Sequence, residues 1–481
     1  MPFEYIKEKE NYKFLSNGKW LFSSSGKTIE IQSKTIIGRI QNVTKKEIDI
    51  TLEKAKSSQE AWYALPVNKR AEILNKAANL LEKNKEILSE FIVKEVAKPR
   101  SLAVSEVLRT ADLIRATAEE GLRINGELLQ SDSSYGHDKS KIALISRVPF
   151  GVVLAISPFN YPINLSVSKI APALISGNSV VLKPSTQGAI SVIHMCELFM
   201  EAGLPPGVLS LVTGKSADIG DYLVSHKLID MIAFTGSTEV GKRIVKLCEI
   251  KPLLMELGGK DAALILEDAD IDLAVSECVK GAFSYSGQRC TAIKRIIIME
   301  NIADVFIKKF VNEAKKLKVG NPEDDANITP LINKSASDYI QELVDDANKN
   351  GAKKILCDRR DDTLWGPSIF DNVNKECRLY YEEQFGPLTP IIRIKSEDEG
   401  IKIINDSEYG LECCIFTKDT SKALKISEKI NTGTIQINGK SDRGPDNFPF
   451  SCIKNSGLGT QGIRYSIEAM TRIKSTIINF K

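Results

Sequence analysis

The chain of 481 residues holds three histidines, His137, His194 and His226, and that scarcity excludes much chemistry. None stands at metal-ligand spacing from another ligand and no C-x-x-C occurs, so neither a metal site nor a redox dithiol is expected. A cysteine–histidine protease is disfavoured on the same ground: His137 lies in the polar stretch SSYGHDKSK, His194 in a helical run and His226 in the turn-like SHKLID. No apolar run approaches the length of a membrane span, so no membrane partner is expected. The net charge is only +3 with both signs interspersed, which leaves no footprint for nucleic acid. The opening residues MPFEYIKEKENYKF lack an apolar segment, so a signal peptide is not expected. Nine cysteines, an odd number without framework spacing, fit a reducing environment, and a cytoplasmic protein is expected.

What is present is a long chain of ordinary globular composition, 42% hydrophobic and 26% charged, too long for one core. Two or three domains are expected. From Lys45 to Arg123, apolar residues recur at helical spacing, with Pro66 and Pro99 as breaks. Residues 125–141 are polar and lead into the alternating KIALISRV, an arm or hairpin. From Gly151 short apolar strands alternate with helices: VVLAIS, SVVLKPS, VLSLVTG and DMIAFTG. This rhythm predicts a mostly parallel sheet in an α/β fold, whose ligands bind at the carboxyl ends of strands. A second α/β unit is expected after Lys251, where PLLMELGGKDAALIL reads as strand, Gly-Gly turn and strand. Cys413 and Cys414 in YGLECCIFT read as a buried strand, and the tail ends in an alternating, strand-like segment.

Cys290 stands in FSYSGQRCTAIKR, among small and polar residues and beside Arg289. A neighbouring cation lowers a thiol pKa, so Cys290 is expected to be a thiolate, while the other eight cysteines fit small buried hydrophobes. Asn160 follows a strand in a Pro-bounded turn, where Asn is favoured on turn chemistry alone. Glu256 ends a strand before two glycines, and Lys183 ends another before a proline; both could be solvated side chains. Gly236, Ser237 and Gly241 in FTGSTEVG have the look of a phosphate-cradling turn at a helix N-terminus, although the spacing is not G-x-G-x-x-G.

SPFNYP, VLKPS, FTGSTEVG, MELGGK, GQRC and EEQFGP follow one another in that order. By these motifs the chain resembles the aldehyde dehydrogenase superfamily nearly end to end. The resemblance implies a Rossmann-like cofactor domain, an α/β catalytic domain and a small β bridging element that pairs subunits. The corresponding expectations are a cofactor-binding domain over 1–123 and 147–255, a catalytic domain over 256–455 and a bridging element over 124–146 and 456–481, in a homotetramer built as a dimer of dimers. It further implies that Cys290 is the nucleophile and that the Asn160 amide, with the Cys290 N–H, holds the oxyanion. Glu256 would activate the water that hydrolyses the thioester, which speaks against the acyl-CoA-forming branch. Lys183 would bond the adenosine ribose and its phosphate. Thr186 stands where NAD-preferring relatives carry a glutamate, so NADP is expected, with NAD weaker. Ser157, Pro158, Ser185, Gly214, Thr235, Gly236, Ser237, Gly241, Leu257 and Gly258 complete the expected cofactor contacts, with Glu383 at the nicotinamide ribose and Phe385 near the ring.

SDRGPDNFPF at 441–450, the Arg289–Cys290 pair, NYP at 160–162 and EVLRTADLI around Arg109 are similar to the non-phosphorylating glyceraldehyde-3-phosphate dehydrogenase branch. The resemblance implies that Arg109, Arg289, Arg443 and Tyr161, with Thr291, bind a small phosphorylated aldehyde, since a guanidinium fork suits a phosphate. Other readings stand beside this one. Arg109 falls on a long helix where surface arginines are common, Arg289 could act only on the thiol, and Arg443 lies in a Gly/Pro turn. Another anionic aldehyde, such as a semialdehyde carboxylate, would also suit arginines, and a silent binding protein on the same scaffold is the remaining alternative.

Overall fold

A computed structural model describes residues 3–33 and 35–480. Its first sheet has eight strands in the spatial order Gly457–Leu458, Leu253–Glu256, Met231–Thr235, Val152–Ile156, Ser179–Lys183, Leu209–Leu211, Phe14–Ser16, Lys19–Leu21. The five strands from Leu253–Glu256 to Leu209–Leu211 run parallel, and the outer three are joined by antiparallel pairings. Their Val/Ile/Leu runs are buried on both faces, as a parallel sheet covered by helices requires. The parallel part of the sheet starts in the middle at Val152–Ile156, steps outward through two strands, then returns to lay Met231–Thr235 on the other side. That reversal opens a crevice at the carboxyl ends of these two strands.

One face of this sheet packs on the helices Lys45–Ala64, Ser216–Ser225 and Thr238–Leu247 through Ile48, Leu52, Leu223 and Ile244. The other packs on Pro162–Ile175 and Ala189–Glu201, backed by Val67–Lys83, Lys85–Val96 and Arg100–Gly121. Thr44 and Glu47 form a reciprocal capping box that starts the Lys45 helix. Two helices start against buried carboxylates: Glu106 accepts from the Ile163 and Asn164 N–H groups, and Glu95 from those of Ile190 and Ser191. Negative charge at a helix N-terminus is stabilised by the peptide dipoles.

The second sheet has seven strands in the order Lys353–Leu356, Ser368–Asp371, Leu388–Ile394, Arg295–Met299, Ala262–Ile265, Glu412–Phe416, Thr434–Ile437, parallel except at the first. Helices cover both faces. The adjacent Cys413 and Cys414 enter opposite cores, as strand alternation dictates.

Three features differ from the sequence expectation. The strand Leu253–Glu256, expected to open the second unit, pairs with Met231–Thr235, so the change of sheet comes at Gly258–Gly259. Two short N-terminal strands, too brief to show periodicity, extend the first sheet. Beyond residue 456, Gly457–Leu458 joins the first sheet and Ile463–Ala469 forms a helix. Thr471–Asn479 pairs with Lys141–Pro149, which pairs with Glu127–Gln130. This three-stranded sheet leaves Leu128, Leu129, Ile473 and Ile477 exposed. Among the described residues no helix is long and apolar enough to cross a membrane.

Candidate active site

Three parallel strands deliver side chains to one place. Ile156 runs into Ser157, Pro158, Phe159 and Asn160; Thr235 into Gly236 and Ser237; and Leu253–Glu256 ends on Glu256 itself. Cys290 comes from the other sheet, on the segment between the helix Ile271–Phe283 and the strand Arg295–Met299. That segment is strained: Tyr285 (φ 50°), Ser286 (φ 56°) and Gly287 (φ 69°) are successively left-handed. Buried bonds hold it. The Tyr285 hydroxyl donates to the Val96 carbonyl (2.9 Å), and Ser286 Oγ donates to the Thr329 carbonyl (2.7 Å) and accepts from its N–H (2.9 Å). Asn160 Nδ2 donates to the Gln288 carbonyl at 3.0 Å, which ties the Asn160 turn to the Cys290 segment. Asn160 Oδ1 is buried without a partner.

Cys290 is half-buried and packs on Leu411, Phe450 and Cys452. Burial pushes its thiol up to about 12; Glu256 and Asp261 push the same way, and Lys294 and Arg443 oppose them. The expected Arg289-stabilised thiolate is therefore corrected. The Arg289 guanidinium donates to the Gly281 carbonyl (2.7 Å) and lies 3.7 Å from Asp442. The cation that most favours the thiolate is Lys294.

Glu256 is held from two sides. Thr235 Oγ1 donates to it at 3.0 Å and in turn accepts from Lys169 Nζ at 2.6 Å. Thr235, expected among the cofactor contacts, thus commits its hydroxyl to Glu256 and Lys169. Burial lowers the Lys169 ammonium to about 8, with Glu256 opposing. Sequence reasoning missed Lys169, although a lone charge in the apolar helix PINLSVSKIAPALI was a usable signal. From the other side Arg443 donates to both Glu256 oxygens and, at 2.5 Å, to Gln461.

The arginines named from sequence come to one segment, but none is unpaired. Arg109 grips Asp446 with two bonds (2.9 and 2.7 Å) and donates to the Arg443 carbonyl at 2.8 Å. Arg289 faces Asp442, and Arg443 faces Glu256. Their partners Asp442 and Asp446 were not foreseen from the sequence. Burial pushes the Tyr161 phenol up to about 12, against the pull of Arg289. Its ring lies 3.5 Å below Lys98 Nζ and edge-on to Tyr285. Thr291 is buried, and its carbonyl accepts from Ser441 Oγ.

On the opposite side Lys183 is 4% exposed and donates to Ser216 Oγ at 3.1 Å. Among the described residues no carboxylate pairs with it, and burial lowers its ammonium to about 8. Ser185 and Thr186 follow, half-buried. Ser157 shares a hydrogen bond with Ser166 (2.7 Å), and Gly214 packs by Ile219 and Asn42. Ser237 caps the helix Thr238–Leu247. A Cβ at Gly241 would come within 2.5 Å of the Leu257 methyls, and one at Gly258 within 2.2 Å of Glu383 Oε2, so a side chain at either position would displace those side-chain ends. Glu383 Oε1 accepts from the Gly259 N–H (3.1 Å) and pairs with Lys294 Nζ (3.1 Å). Phe385 has φ 42° and sets its ring edge-on to Phe159 at 6.0 Å. No group of His, Cys, Asp and Glu among the described residues could hold a metal ion.

A profile of the aldehyde dehydrogenase family matches residues 20–476. The chain belongs to the aldehyde dehydrogenase family. It is 50% identical to the NADP-dependent glyceraldehyde-3-phosphate dehydrogenase of Triticum aestivum, over 99% of this chain and 97% of that protein. Its identity to the protein of that name from Streptococcus equinus is 49%, over 98% and 99% of the two chains. The crystal structure of the NADP-dependent glyceraldehyde-3-phosphate dehydrogenase of Bacillus halodurans, complexed with NADP, matches with a TM-score of 0.96 at 48% identity, over 98% of this chain and 100% of that one. The Rossmann-like α/β architecture expected from sequence is thus the observed one. In this aldehyde dehydrogenase the buried Lys183, which has no carboxylate partner among the described residues, fits an anionic group of a phosphorylated dinucleotide, and the half-buried, uncharged Thr186 sets no carboxylate against it.

Proposed function

We propose that this aldehyde dehydrogenase irreversibly oxidises glyceraldehyde 3-phosphate to 3-phosphoglycerate with NADP and without inorganic phosphate. One observation carries the substrate. Arg109 and Arg289, from distant parts of the chain, reach Asp446 and Asp442 on either side of Arg443, and Arg443 itself touches Glu256. A dianion entering there finds three guanidiniums and can exchange with their carboxylate partners.

Cys290 gives its proton to solvent water, and its Sγ forms a bond to the aldehyde carbon as the C=O π pair moves onto oxygen. The second Asn160 N–H and the Cys290 N–H donate to the resulting oxyanion. NADP, when bound, supplies the hydride acceptor, held by Lys183, Ser185 and Thr186 at the adenosine end and by Glu383 and Phe385 at the other. Glu256 takes a proton from the water that attacks the thioester, and Cys290 leaves as the thiolate. Residues 1–123 and 147–255, which hold most of the first sheet and its helices, form the cofactor unit, and 256–455 the catalytic unit. Residues 124–146 and 456–481 form the bridging element, whose exposed Leu128, Leu129, Ile473 and Ile477 support a homotetramer built as a dimer of dimers. Nine unpaired cysteines support a cytoplasmic location.

The test is NADPH formation from glyceraldehyde 3-phosphate, unphosphorylated glyceraldehyde and carboxylated semialdehydes, each with and without inorganic phosphate. Preference for the phosphorylated aldehyde, indifferent to inorganic phosphate, is expected. Preference for a semialdehyde would replace the substrate assignment.

A further inference from the structure

Lys294 follows Cys290 by four residues and is 1% exposed. Its backbone is fixed at both ends: its N–H donates to the Asp261 carbonyl at 2.9 Å, and its carbonyl accepts from Gln384 Nε2 at 2.8 Å. Its ammonium donates to the carbonyl of Cys290 and lies 3.1 Å from Glu383 Oε1. One buried cation therefore bridges the backbone of the nucleophile and the carboxylate assigned to the nicotinamide ribose. A buried ammonium is costly unless paired, and an uncharged side chain could fill the same space, so packing alone does not call for a lysine here.

We propose that Lys294 is the positioning residue that joins Cys290 to Glu383, so that whatever engages Glu383 alters the nucleophile. This rests on the reading of Cys290 as nucleophile and of Glu383 as the ribose contact. The charged and titratable groups facing the thiol are Glu256 from the end of its strand, Asp261 from the turn beyond Gly259, Arg443 from the segment 442–446, Cys452 from the wall opposite, Lys169 from the helix Pro162–Ile175, Tyr161 from the turn before that helix and Lys294 from its own segment. Glu256 and Asp261 oppose the thiolate, and Lys294 is the foremost group that favours it. Glu383 draws on the same ammonium. Ribose hydroxyls that donate to Glu383 offset its charge and leave more of the ammonium's field to Cys290.

The test reads alkylation of Cys290 by iodoacetamide in the cofactor-free protein, by mass analysis of its peptide across pH 7 to 10. Lys294→Met is expected to slow alkylation about tenfold or more, one unit of thiol ionisation, with Lys294→Arg restoring most of the rate. Lys294→Gln keeps a donor for the Cys290 carbonyl without the charge and is expected to be as slow. Glu383→Gln is expected to speed alkylation in the wild-type background and to do nothing in the Lys294→Met background. Wild-type rates in both uncharged variants, or an equal effect of Glu383→Gln in the two backgrounds, would overturn the proposal. NADP titration of Glu383→Gln is read separately: unchanged affinity removes Glu383 from the ribose while the link from Lys294 to the thiol stands or falls on the alkylation rates.

Discussion

Arg443 donates to both carboxylate oxygens of Glu256, at 3.2 and 3.3 Å. The residue proposed to receive the substrate phosphate is therefore also the partner of the residue proposed to activate water. If a phosphate draws Arg443 toward itself, Glu256 would be released for that proposed task.

Arg443→Leu is accordingly expected to damage two steps. Truncating one partner of a largely buried charge pair costs on the order of 2–5 kcal/mol, which should appear in kcat/KM for glyceraldehyde 3-phosphate. Turnover of unphosphorylated glyceraldehyde should fall as well, by less, because Glu256 loses its partner. Parallel steady-state kinetics measure both. Unchanged turnover of the unphosphorylated substrate would show that Glu256 does not depend on Arg443.

Cys290, held up to about 12, is protonated at neutral pH in the cofactor-free protein. Only the thiolate reacts, so alkylation should climb about tenfold per pH unit from 7 to 10. The sign for stability follows from the same shift. The folded pKa exceeds the unfolded value of about 8.5, so the neutral thiol's contribution is full below that value and is lost as pH rises toward the folded one. An alkylation plateau below pH 9 would contradict the assignment.

Lys183→Met should weaken NADP more than NAD, by about 1.5–3 kcal/mol, the scale of one charged hydrogen bond. Thr186→Glu should shift preference the same way by placing a carboxylate near the 2′-phosphate. Calorimetric titration with both cofactors decides this, and equal losses would dissociate Lys183 from the phosphate.

Lys98 and Glu106 are fully buried and bonded to each other, with the Lys98 ammonium over the Tyr161 ring. Glu106→Gln leaves a buried ammonium without its charge partner, and a loss of about 3–5 kcal/mol is expected in denaturant unfolding. Replacing both residues, with Lys98→Met added, should cost less than Glu106→Gln alone.

The strand ends were legible because a parallel sheet writes itself as short Val/Ile/Leu runs, and the residues that follow each run, Asn160, Lys183 and Gly236, stand where ligands of such sheets bind. Cys290 and Glu256 were legible through the motifs around them. The sheet to which Leu253–Glu256 belongs was not, because the alternation of strand and helix continues unbroken across that boundary. Nor were the ion pairs. Arg109 and Asp446 are 337 residues apart, and nothing local to either signals the other. Lys294 looked like one more charge beside RIIIM; its importance comes from burial between two segments that only the fold brings together.

If Cys290 carries an acyl group that Glu256 then helps water to remove, Glu256→Gln should separate hydride transfer from hydrolysis. Mixed with glyceraldehyde 3-phosphate and NADP in a single turnover, this variant should release one NADPH per site and then stall. The peptide containing Cys290 should gain the mass of a phosphoglyceroyl thioester that alkaline hydroxylamine removes. A variant that shows no burst and an unmodified Cys290 peptide would place Glu256 before hydride transfer, and the account of two separate steps would be wrong.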